Sequence, residues 1–179
     1  LPLSGTSWNA GSISLGASEG LRTLEIRASD AVGNVTEKEI VFSFDQAPPT
    51  ISVSGTTALV TTNAPVVFTG TAGDTNAIST VSVSVNGAAP LAVTDTNADG
   101  NPATLYDSWT WTLPDTVQGD FVLDFVASDS AGRTTTVRRS VLVDTTAPTT
   151  PLIVNAPASY VSDSLVVDGT SSDPGTDAS

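Results

Sequence analysis

The chain has 179 residues, 39% of them hydrophobic, and a formal charge of −13 from nineteen acidic and six basic side chains. That apolar content is enough for packed cores and argues against disorder of the whole chain, and the charge repels phosphate backbones and anionic lipid surfaces. Cysteine, histidine and methionine are absent, which excludes disulfides, Ser-His-Asp or Cys-His nucleophiles and His-bearing zinc sites, and leaves metals only oxygen ligands.

From the start, Leu1 to Ser7 show neither the basic segment nor the apolar run of a signal peptide, and no stretch reaches the roughly 20 apolar residues that cross a bilayer as a helix. The expectation is a soluble chain, with any signal or anchor removed or outside it. Leu24, Ile26 and Ala28 then alternate with polar residues and lead into a turn, "ASDAVGN". Lys38, the only lysine, lies between Glu37 and Glu39 and reads as an exposed strand residue; an internal lysine-asparagine crosslink is the alternative. "NVT" at Asn34 is a glycosylation sequon by pattern alone.

Further along, alternation bounded by turn residues predicts strands at 50–54, 65–70, 79–86, 90–94, 108–113, 120–128 and 134–144, with no helical pattern between them. Asn86-Gly87 is the strongest short hairpin signal. In "FVLDFVASD", Phe121, Leu123, Phe125 and Ala127 share one parity and are expected to face the core, with Asp124 facing water. Trp109 and Trp111 lie on one strand face, as core residues or as a platform for stacking sugars. Arg138 and Arg139 are expected on a solvated strand edge.

The chain repeats itself. "ASDAVGN" at Ala28–Asn34 returns 99 residues later as "ASDSAGR", "VVFTGTAGD" at Val66–Asp74 as "LVVDGTSSD", and "FDQAPPT" ending at Thr50 as "VDTTAPT" ending at Thr149. Trp8 pairs with Trp109 at a shift of 101. A period of about 99 residues suits one β-sandwich of immunoglobulin-like size. The expectation is therefore an all-β chain of tandem immunoglobulin-like β-sandwich repeats: residues 1–47 the late part of one, 48–147 a complete one, and 148–179 the beginning of the next.

These motifs resemble the tandem bacterial immunoglobulin-like domains of large surface adhesins and biofilm-associated proteins, in which an A-x-D-x-x-G-N turn and a D-x-T-A-P junction recur at each boundary. The likeness spans nearly the whole chain. It implies two antiparallel sheets per repeat, extracellular display at the cell surface, and calcium at domain junctions. The ligands it implies are Asp30 and Asp129 in the turns, Asp45 and Asp144 in the linkers, and Asp74 and Asp173 in the early loop. Arg133 stands where the first turn has Asn34, and Gln46 and Pro48 depart from the second junction's residues.

A separate signal comes from "DTNADGNPATLYD". Asp95, Asn97 and Asp99 alternate and Gly100 follows, matching the first half of a calcium loop, with Asn101 offering its backbone carbonyl. Tyr106 occupies the place of the closing glutamate, and Asp107 supplies a carboxylate one residue later if the loop bulges. The alternative is an acidic, solvated hairpin loop that binds nothing; for Asp30 and Asp129 it is an Asx-turn holding its own backbone.

The expected function is a non-enzymatic structural spacer of a bacterial cell-surface or secreted adhesin-type protein, rigidified by calcium. Its partners are neighbouring repeats of the same longer chain or other copies, with no nucleic acid and no membrane insertion. The alternatives are a glycan- or protein-binding module engaging a surface receptor, and an accessory domain of a secreted enzyme. No tuned carboxylate pair and no activated nucleophile is legible, so catalysis is not expected.

Overall fold

Period-two patterning becomes strand along the chain, and no helix occurs among the described residues. The computed structural model describes residues 9–55, 60–61, 65–97, 100–101, 105–114, 118–154, 164 and 166–172, and divides into two units, Leu1–Ala47 and Pro48–Ser179.

In the first unit, β1 (Gly20–Ser29) and β2 (Val35–Phe44) pair antiparallel over their full length, from Gly20↔Phe44 to Ser29↔Val35. Asp30 makes the reversal: Oδ1 accepts the N–H groups of Val32 and Asn34 at 3.0 and 2.8 Å, and Oδ2 accepts the Asn34 side-chain amide at 2.7 Å. Arg27 faces Glu37 across the pair at 3.3 Å, an exposed ion pair that contributes little. Lys38 is exposed. Leu24, Ile26, Phe42 and Phe44 are half-exposed.

The second unit contains β3 (Thr50–Ser54), β4 (Val60–Thr61), β5 (Val66–Gly73), β6 (Ile78–Val85), β7 (Leu91–Ala92), β8 (Thr94–Asp95), β9 (Trp109–Leu113), β10 (Gly119–Asp129) and β11 (Thr134–Asp144). One sheet has the order β3-β5-β9-β8 and the other β4-β11-β10-β6-β7, antiparallel except where β4 joins β11. Their inward faces share one core, a sandwich-like arrangement. Phe125 of β10 is its centre, with ring centroids 5.3 Å from Phe68, 5.4 Å from Trp109 and 6.1 Å from Trp111. Both tryptophans are buried, so neither forms an exposed platform. The expected parity of Phe121, Leu123, Phe125 and Ala127 is observed, and burial of each large apolar side chain contributes about 1.5–3 kcal/mol. Last come β12 (Leu152–Ile153) and β13 (Gly169–Thr170), paired antiparallel.

The β10–β11 hairpin has the β1–β2 register: Leu24↔Ile40 and Ile26↔Lys38 correspond, 99 residues on, to Leu123↔Arg139 and Phe125↔Val137. Thr50 Oγ1 donates to the Gly73 carbonyl and Thr149 Oγ1 to the Ser172 carbonyl, each at 2.8 Å.

Two expectations change. The single strand expected at 90–94 is two short ones in different sheets: β7 pairs with β6, the chain crosses at buried Val93, and β8 pairs with β9. Arg139, expected on a solvated edge, lies opposite Leu123 on the inward face. It is half-buried and donates from Nη2 to the Val53 carbonyl at 2.8 Å, its apolar stem covering core surface. Arg138 is exposed and binds Asp124 through two contacts of 2.7 and 2.8 Å, which hold the Asp124 carboxyl below the usual carboxylate range.

At the hairpin tip Asn86 and Gly87 both have positive φ, 49° and 75°, and Ala88 N–H closes the turn on the Val85 carbonyl. Asn86 also ties the tip to β10. Its Oδ1 accepts Val122 N–H at 2.7 Å, its Nδ2 donates to the Asp120 carbonyl at 3.3 Å, and its backbone N–H donates to the Val122 carbonyl at 2.8 Å. Asn86→Ala is expected to lower stability by about 1–2 kcal/mol in urea unfolding, by losing the side-chain bonds and straining a left-handed residue. Asn86→Gly relieves the strain but not the lost bonds; if both variants melt like the wild type, the tie is not contributing.

Candidate metal centre

The inward parity of β10 does not end with its apolar residues. One step past Ala127, across a register irregularity between Ser128 and Asp129, the same face presents a carboxylate, so Asp129 is only 2% exposed. Its Oδ1 accepts Arg133 N–H at 2.8 Å. Its buried Oδ2 has no hydrogen-bond partner among the described residues; the Arg133 Nε lies 3.7 Å away, close enough for charge attraction but too long for a hydrogen bond.

Asp74 immediately follows β5, and its Oδ1 accepts Asn76 N–H at 2.8 Å, which fixes the loop conformation. Asp74 and Asp129 each bring a carboxylate oxygen to within 4.8 Å of the other's. Two carboxylates this close, one of them buried, repel unless a cation lies between or beside them. Arg133 supplies part of that compensation. Sequence reasoning saw this residue only as a departure from Asn34; its i+4 spacing from Asp129 was the available signal.

The acidic loop joins β8 to β9. Asp95 is the last residue of β8, pairs with Trp109, and accepts Asn97 N–H at 3.0 Å. The Asn97 side-chain amide reaches across the loop to both Asp107 oxygens, at 3.0 and 3.2 Å. Gly100 has φ of 74°, Asn101 is exposed, and Asp99 lies outside the described residues. Tyr106 has a left-handed φ of 62° and its carbonyl accepts Ala72 N–H at 2.8 Å, which anchors the loop to β5 just before Asp107. A half-turn of the Asn97 amide would present its oxygen beside the Asp107 carboxylate, making both ligands of a hard cation.

Asp30 is committed to its turn, and the hydrogen bonds from the Asn34 side chain and backbone hold its carboxyl below the usual carboxylate range. Asp144 is buried, with Oδ1 accepting Thr146 N–H at 2.9 Å. Asp45, half-buried, follows β2 directly. Asp173 lies outside the described residues. The chain matches no protein-family model and no curated protein.

Proposed function

We propose that this chain is a non-enzymatic structural spacer: tandem immunoglobulin-like sandwich repeats of about 99 residues, from a bacterial cell-surface or secreted adhesin-type protein, stiffened by calcium. The observation that carries the metal reading is Asp129, a carboxylate buried on the core face with one oxygen that has no hydrogen-bond partner among the described residues and a second carboxylate within 4.8 Å. Burying such a group is costly unless a counter-charge satisfies it. The ligand atoms are all hard oxygens, which select calcium over softer metals.

Asp74 and Asp129 would hold the ion at one end of the complete repeat. Asp95, Asn97, Asp99, Asn101 and Asp107 form the second candidate site, within the loop. Bound calcium would offset repulsion among nineteen acidic side chains. The proline-containing linkers "DQAPPT" and "DTTAPT" leave little room to coil, so a bridged junction becomes a stiff spacer.

Calorimetric titration of calcium into chelator-treated protein tests the reading. At least one site with a dissociation constant of roughly 10⁻⁴–10⁻³ M is expected, as in extracellular modules. The absence of saturable binding heat would end it.

A further inference from the structure

We propose that Asn86–Gly87 is a modification site held in reserve: a deamidation site that the fold silences by tying the reacting amide to β10, so that conversion records opening of the hairpin tip. Asparagine followed by glycine is the pair most prone to this chemistry, because glycine has no side chain to shield the attacking nitrogen. Both residues are exposed, and a Cβ at Gly87 would meet nothing within 4 Å, so solvent reaches the site.

In the reaction the Gly87 backbone nitrogen bonds to Asn86 Cγ, the Cγ–Nδ2 bond breaks, and ammonia leaves with the proton of the Gly87 amide. Water then opens the succinimide at either carbonyl, giving aspartate or isoaspartate. Ring closure needs the side chain to swing back over its own backbone, and in the fold it is held the other way. Asn86 follows Val85, which pairs with Leu123, and so stands opposite Val122. Its N–H donates to the Val122 carbonyl at 2.8 Å, as a ladder residue's would. The returning bond, from Val122 N–H, goes to the side-chain Oδ1 at 2.7 Å, because the chain turns left-handed here with φ at 49°. Nδ2, the leaving group, donates to the Asp120 carbonyl at 3.3 Å. Both atoms on Cγ are engaged on β10, and Cγ meets the Gly87 nitrogen only when the side chain lets go.

The products cannot rebuild the tie. Aspartate keeps an acceptor for Val122 N–H, but it sets a carboxylate oxygen against the Asp120 carbonyl and adds negative charge to a chain already at −13. Isoaspartate inserts a methylene into the main chain of a tight turn closed between Val85 and Ala88, which the left-handed pair then no longer spans. An opening long enough for the ring to close is thereby made permanent.

Peptide mass mapping of the full chain after incubation at mildly alkaline pH, folded and in urea, tests the proposal, with isoaspartate identified by electron-transfer fragmentation. Asn86 is expected to convert in urea, and roughly a hundredfold or more slowly in the fold. Hydrogen exchange supplies an independent measure, because the same opening releases Val122 N–H; its protection and the slowing at Asn86 should agree within about tenfold. Ser84→Ala removes the 2.6 Å bond from Ser84 Oγ to the Ala88 carbonyl, which helps to close the tip, and is expected to speed both processes together. Equal rates at Asn86 in the fold and in urea overturn the proposal, as does an Asn86 that stays unmodified in urea. So does conversion of Asn86 while Val122 remains fully protected, since the ring would then close with the tie intact, and so does a Ser84→Ala chain in which only one of the two processes quickens.

Discussion

Gly70→Ala is expected to destabilise the two-sheet core of the second unit by about 3 kcal/mol or more, at or beyond the upper end of ordinary overpacking. Gly70 sits in β5 between Val53 of β3 and Trp109 of β9. A Cβ there would lie 2.1 Å from the Ser52 carbonyl oxygen and 2.3 Å from Trp109 Cζ2. Neither neighbour can move aside: the carbonyl belongs to a paired strand, and the indole is buried and stacked on Phe125. Glycine is therefore required by the close approach of the ring to the backbone. Against a net stability of about 5–15 kcal/mol the loss is large, and at about 4–8 °C per kcal/mol it lowers the melting temperature by roughly 12 °C or more. The indole's share is separable. In a Trp109→Phe background the contacts with the outer ring vanish while Ser52 remains, so alanine at position 70 should cost less by about 1 kcal/mol, read from urea melts followed by circular dichroism. A single-variant cost under about 1 kcal/mol would show that the ring does not press on this backbone.

How much of this was legible in the sequence differs from residue to residue. The inward parity of Phe121 to Ala127 was, because one face of a half-buried strand must be apolar. The crossing at Val93 was not. Leu91 and Val93 alternate like any strand, and only the competing partners, Ser82 and Val83 on one side and Trp109 and Thr110 on the other, decide where each half pairs. Arg139 misled because charge suggested solvent, whereas register with Leu123 places it inward. For the candidate site, the spacing of Asp95, Asn97 and Gly100 was plain. That Asp107 meets Asn97 depends on the left-handed turn at Tyr106, for which a tyrosine gives no local warning. Asp129 could be read as a turn residue, and it is one. Its burial follows from carrying the parity of β10 one step past the last apolar residue, where propensity alone places a solvated aspartate.

Calcium removal should have the second large effect. With a dissociation constant of ~0.1 mM and calcium at ~10 mM, one site would stabilise the second unit by about 2.7 kcal/mol, a melting shift of roughly 10–20 °C. The two candidate sites are distinguishable because their carboxylates have different surroundings. Asp74→Asn with Asp129→Asn removes two close, like charges while retaining an oxygen to accept Arg133 N–H, so in chelator this variant should melt at or above the wild type. With calcium it should gain less than the wild type does. Asp95→Ala with Asp99→Ala leaves that pair intact, and any calcium response then lost belongs to the loop. Magnesium is the control for charge screening. It demands tighter octahedral geometry and gives up water reluctantly, so a site built from separated loops should favour calcium, whereas diffuse screening of the −13 charge would respond to both ions alike. Equal melting temperatures for the chelated and calcium-loaded wild type would mean that Arg133 compensates Asp129 without metal.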